Sequence, residues 1–99
     1  MKRHPHELPI PEPAPGDERA YELLRLWDSG ATQQVSLSPM LWDDPGNWGI
    51  ALRDLAKLIA DAYGKSGKMD SVAALELVKK GFEAEWNMAT DTPRGQLLE

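Results

Sequence analysis

Two adjacent carboxylates between two indoles are the residues of this chain best suited by type to carry chemistry. In the stretch MLWDDPGNWG, residues 40 to 49, Asp43 and Asp44 lie between Trp42 and Trp48. A carboxylate pair can share a proton and work as acid and base, but only if the two groups converge. Neighbours in an extended segment point to opposite sides, so Asp43 and Asp44 are poorly placed for that work. A divalent cation would want further oxygen ligands, and none stands at a recognisable spacing. Pro45 gives the pair a structural cause instead. Proline is favoured at the first helical position, where its missing N–H would have no intrahelical partner. Asp44 is then the N-cap, its carboxylate accepting from the amide of Gly46 or Asn47, and both aspartates meet the positive end of the helix dipole. Trp42 and Trp48 can pack on each other across the cap as an enlarged hydrophobic staple.

The other chemically suggestive residues fare no better. His4 and His6 could grip a metal together, but two ligands on a proline-rich tail make a weak site. Both histidines are also remote from any rigid element, which removes a Ser-His-Asp arrangement. The chain has no cysteine, and thiolate nucleophiles, thiolate metal sites and disulfides go with it. Gly64-Lys65-Ser66 has the ending of a phosphate-binding loop, yet Ile59 stands where that motif needs its first glycine. Lys79 and Lys80, with Glu76 and Glu83 at helical spacing, form a solvated face of ion pairs. Glu85, beside Trp86, is the acid best placed for partial desolvation. No catalytic residue, metal site or cofactor follows from these patterns.

The totals set the frame in which any site must sit. At 99 residues the chain makes one domain, because a second core would bury too little apolar surface to offset its ordering entropy. The hydrophobic content of 41% with four tryptophans suits a folded chain. Net charge is -5, with no basic stripe, so the electrostatic footprint of a nucleic-acid binder is missing. The start MKRHPHELPIPEPAP lacks the apolar run of a signal peptide, and no window is apolar enough to span a membrane. The expectation is a cytoplasmic protein with neither nucleic acid nor membrane as partner.

Prolines at 5, 9, 11, 13 and 15 remove amide donors and bias their predecessors away from helix, so residues 1–17 are expected to be a disordered tail. The single folded domain then covers 18–90. AYELLRLW and TQQVSLS, separated by DSGA, predict a β-hairpin. Leu24 and Leu26 share one face of its first strand; Tyr21, Leu23 and Trp27 share the other. From Pro45 to Tyr63 the recurrence of Leu52, Leu55, Ile59 and Ala62 predicts an amphipathic helix ended by Gly64. Asp70 caps a second helix running to about Met88, with Val72, Leu75, Val78, Phe82 and Trp86 as its apolar set. Gly81 inside it matters most if a neighbouring element presses close there. Residues 91–99 should be irregular.

Three stretches carry a resemblance. The proline-rich start, the run VSLSPMLWDDPGNWGIALRDLAKLIADAY and the close GFEAEWNMATDTPRG resemble a family of small bacterial proteins known as a domain of unknown function. The likeness covers about residues 20 to 95. Its marks here are Trp42, Pro45, Trp48, Gly49, Asp54, Gly81, Phe82, Glu85, Trp86 and the Thr92-Pro93 step. The resemblance implies a bacterial, cytoplasmic protein and brings no activity with it.

The fold expected is α+β: a β-hairpin, with room for a third short strand, packed on two antiparallel α-helices. A lone two-stranded sheet is marginal in water, and Tyr21, Leu23 and Trp27 would be left uncovered. Pairing of strand edges across a twofold axis would remedy this, giving a small non-catalytic interaction or structural module that works as a homodimer. The alternative is a small-ligand binder or enzyme with a pocket between the hairpin and the first helix. Trp42, Trp48 and Arg53 would line it, and Asp54 or Glu85 would supply polar contacts.

Overall fold

A computed structural model describes residues 4–30, 32–88 and 94–97. Residues 1–3 of the tail, residue 31 of the hairpin turn, and residues 89–93 and 98–99 toward the C-terminal end, including the Thr92-Pro93 step, lie outside them.

The fold is α+β, with a three-stranded sheet and two helices. Strands β1 (Leu24–Ser29) and β2 (Thr32–Leu37) form the expected antiparallel hairpin. Gly30 takes the left-handed turn at φ 72°, a conformation that a Cβ would penalise. Residues 94–97, expected to be irregular, instead form β3 (Arg94–Leu97), which runs parallel to β2 from Gln34 opposite Arg94 to Leu37 opposite Leu97. Gly95 fits this pairing, since a Cβ there would lie 3.2 Å from the Val35 carbonyl oxygen. β2 is therefore central, and β1 and β3 are the edges.

Two helices connect the parallel strands: α1 (Gly46–Lys65) and α2 (Ser71–Asn87). The α1 start lies one residue later than expected, with Pro45 already helical at φ -58°, ψ -22°. Its end differs more. Gly64 lies inside the helix, where a Cβ would come within 3.2 Å of the Ser71 Cβ, so its role is close approach between helices rather than termination. Ser66 ends the helix: its amide donates to the Ala62 carbonyl and its hydroxyl to Tyr63 O. Gly67, at φ 74°, then turns the chain. Asp70 caps α2 as expected, its carboxylate accepting from the Ala73 amide at 3.2 Å.

The helices meet along small residues. Ala60 and Ala74 are fully buried, alone among the described residues, and the Gly64–Ser71 approach lies one turn further toward the loop. Spaced four apart, Ala60 and Gly64 present one narrow face of α1 to α2. The leucine stripe of the sequence pattern lies beside this seam and is not in it: Leu52, Leu55, Leu58 and Ile59 are all exposed. Among the described residues no helix Cα comes within 8 Å of a strand Cα. The radius of gyration is 15.5 Å against about 13 Å for a compact chain of this length, the proline-rich segment included.

Residues 4–23 hold neither α-helix nor β-strand, as their prolines require, apart from one 3-10 turn at Ala14–Gly16. Two contacts nonetheless tie the segment to the sheet. The His4 ring meets Trp27 edge-on at 4.9 Å, and Glu7 Oε1 lies 3.5 Å from Arg25 Nη1.

Candidate interaction surface

The Trp42–Asp44 junction settles into the structural arrangement. Asp44 Oδ1 accepts from the Gly46 amide at 2.8 Å, and the amides of Asn47 and Trp48 bond to the carbonyls of Asp44 and Pro45. The Trp42 and Trp48 rings pack with centroids 4.6 Å apart, tilted by 51°. Both indoles are half-buried, while Asp43 and Asp44 are exposed. The two rings hold the entry to α1 at a fixed angle, which in turn sets where the helical pair points.

The pairing register sorts the sheet into two faces. Leu24 sits opposite Leu37 and Leu26 opposite Val35, and directly paired residues share a face. This face is apolar and open: Leu26 is 55% exposed and Leu24 36%. The opposite face carries Arg25 and Trp27, and there the N-terminal segment lies, through His4 and Glu7. Arg25 also donates to Glu22 at 3.2 Å; that bond, aided by the charges of Glu22 and Glu7, raises its pKa. The sequence left the Trp27 side uncovered and gave the Leu24–Leu26 side to the helices. The structure differs on the Trp27 side, where the proline-rich segment lies through His4 and Glu7.

The helical pair presents a second apolar surface. Leu52, Leu55 and Ile59 lie 40–47% exposed along α1. On α2, Phe82 and Trp86 stack at 5.6 Å with planes 24° apart and are 53% and 78% exposed. Side chains this large, in a row and in water, mark a surface that meets something. Gly81 has nothing within 4 Å of where a Cβ would be, so no described element presses on it.

The residues singled out in the sequence do not gather at one place. Tyr21 is exposed ahead of β1, Leu23 is half-buried with its carbonyl accepting from the Ser38 amide, and Trp27 lies under His4. Trp42 and Trp48 meet each other; Arg53 and Asp54 are exposed on α1, and Glu85 is exposed on α2. A shallow hollow opens at the interhelical loop, lined by Asp61, Lys65, Met69, Asp70 and Ser71. Its acids have structural partners: Asp61 holds Lys57 Nζ at 2.7 Å, and Asp70 caps α2. Among the described residues there is no cluster of three or more metal-ligating side chains, and no helix is long and apolar enough to cross a membrane.

What sequence reasoning missed is the surface itself. Leu24, Leu26, Leu52, Leu55, Ile59, Phe82 and Trp86 read as core because they are apolar and periodic. The available signal was Ala56, Ala60 and Gly64, a row of small residues at spacing four that suits close helix packing and leaves the larger stripe beside it over.

Comparison with known proteins agrees with the fold. The family described as "Domain of unknown function (DUF5076)" matches residues 7–90. No curated protein matches the chain. Among solved structures, one from the photosynthetic bacterium Rhodopseudomonas palustrus CGA009, given the provisional name of a pyruvate dehydrogenase, is 28% identical. The match covers 99% of this chain and 100% of that one, with a TM-score of 0.75.

Proposed function

Starting from the chain's membership of the DUF5076 family, whose description carries no activity, we propose that it is a small non-catalytic interaction or structural module that works as a homodimer in the bacterial cytoplasm. One observation carries the reading: the only fully buried described residues are two alanines, while the large apolar side chains of α1, α2 and β1 stand in water. Such a chain has its hydrophobic stabilisation still to gain, and association supplies it. The edges of β1 and β3 offer backbone groups for strand pairing across a twofold axis, and the open faces offer apolar area.

The provisional name of the Rhodopseudomonas structure belongs to that protein. Oxidation of a 2-oxo acid asks for groups converging on a substrate-sized site. Here the acids around the interhelical hollow are engaged in an ion pair and a helix cap, which favours the non-catalytic reading.

Sedimentation equilibrium over a hundredfold range of concentration tests the proposal. A mass of twice the 11.0 kDa chain, falling only on dilution, is the expected result. A monomer at every concentration would contradict it.

A further inference from the structure

We infer that the two copies exchange faces, the sheet of each lying on the helical pair of the other. This rests on the homodimer reading above and adds the surfaces and their order.

Among the described residues each chain carries two partly exposed apolar faces. One is the sheet face of Leu24, Leu26, Val35 and Leu37. The other runs along α1 through Leu52, Leu55 and Ile59. Parallel strands are joined by crossovers whose helices ordinarily lie on their own sheet. Here β2 and β3 are parallel and α1 and α2 form the crossover, yet among the described residues no helix Cα comes within 8 Å of a strand Cα. A second copy related by a twofold axis gives each sheet the helices that its own chain withholds. The arrangement is closed, because both faces of both copies are used and nothing is left over to build a longer array.

The surface area agrees. A compact monomer of 11.0 kDa would expose about 5,600 Å² by the usual scaling with mass, and this chain exposes 8879 Å². The N-terminal segment accounts for part of the difference. The whole excess is about four times the ~800 Å² per partner of a standard specific interface. Two copies at -5 each repel, a cost that the apolar contact has to offset.

Strand-edge pairing makes a different prediction. It would bring the two β1 strands together and leave the leucines of α1 in water.

The absence of cysteine makes the test clean, since introduced thiols meet no background. Leu26→Cys on the sheet and Leu55→Cys on α1, the latter with a size tag, are made as separate full-length chains. They are unfolded together, refolded and oxidised, then run on a non-reducing denaturing gel. Face exchange predicts a disulfide-linked species with one chain of each kind, at least tenfold above the product of either variant alone. A chain carrying both substitutions should link between chains. A link closing within one chain would overturn the inference, as would Leu26→Cys joining to itself in place of Leu55→Cys; that second result still leaves the homodimer reading standing. A wild-type monomer by sedimentation would remove both readings. Should circular dichroism show a variant to be unfolded, Leu24→Cys with Ile59→Cys is read in the same way, and no mixed link from either pair overturns the inference.

Discussion

The contact between α1 and α2 and the outer face of the same two helices differ in what they bury. The contact is made by Ala60, Ala74, Gly64 and Ser71, residues small enough for the backbones to approach closely. Away from it α1 carries exposed leucine and isoleucine, and α2 exposed phenylalanine and tryptophan. Burying a large apolar side chain stabilises by about 1.5–3 kcal/mol, whereas burying an alanine contributes far less. The internal seam therefore sets the geometry of the pair, and the larger share of the stabilisation waits on the outer face. In the proposed homodimer, structure within the chain and stability of the chain would come from different surfaces, and folding would be linked to association.

The strongest way to break this contrast is to charge the outer face. Leu55→Asp with Ile59→Asp should weaken the dimer at least 100-fold in dissociation constant, read by sedimentation velocity, with loss of helix at low concentration by circular dichroism. An unchanged dissociation constant would place the interface elsewhere. The seam gives the next effect. Ala60→Leu overfills a site with no free space and should cost about 1–3 kcal/mol in urea unfolding. That loss should appear at every protein concentration, whereas the outer-face loss should be confined to the associated state.

Smaller effects sharpen how the pair is held open. Gly67→Ala puts a Cβ on a residue at φ 74° in the interhelical turn and should cost about 1–2 kcal/mol. Asp70→Ala removes the α2 cap and should cost about 1 kcal/mol, with most of it retained in Asp70→Asn, because asparagine caps nearly as well. The smallest change is expected from Lys79→Ala. Its 3.9 Å pair with Glu83 is exposed and should be worth a few tenths of a kcal/mol at most, and less in high salt. A large loss from Lys79→Ala would mean that this solvated side of α2 is buried in the assembly.

The sequence was most legible where local chemistry decides. The hairpin follows from strand formers flanking a glycine turn, and both helices follow from apolar periodicity with Asp70 and the Asp44-Pro45 step at their starts. The Trp42–Trp48 pair was legible because a staple links residues near in sequence. Long-range choices were hidden. RGQL is short and polar, and it becomes a strand only because β2 offers a parallel edge. Gly64 reads as a helix stop until α2 is laid against it. The apolar stripe of α1 was visible, but periodicity says that a face seeks cover and not which surface provides it. For the same reason the Trp27 side of the sheet was left uncovered: His4 and Glu7 lie far from Trp27 and Arg25 in sequence, and nothing in a run of prolines announces where it will lie.

The most direct test of face exchange is an isotope-filtered nuclear Overhauser measurement on a dimer refolded from equal parts of carbon-13-labelled and unlabelled chain. Cross-peaks between chains, from the methyls of Leu24 and Leu26 to those of Leu55 and Ile59, are the predicted result. Finding those contacts only within one chain, or only between the β1 strands of two chains, would contradict it.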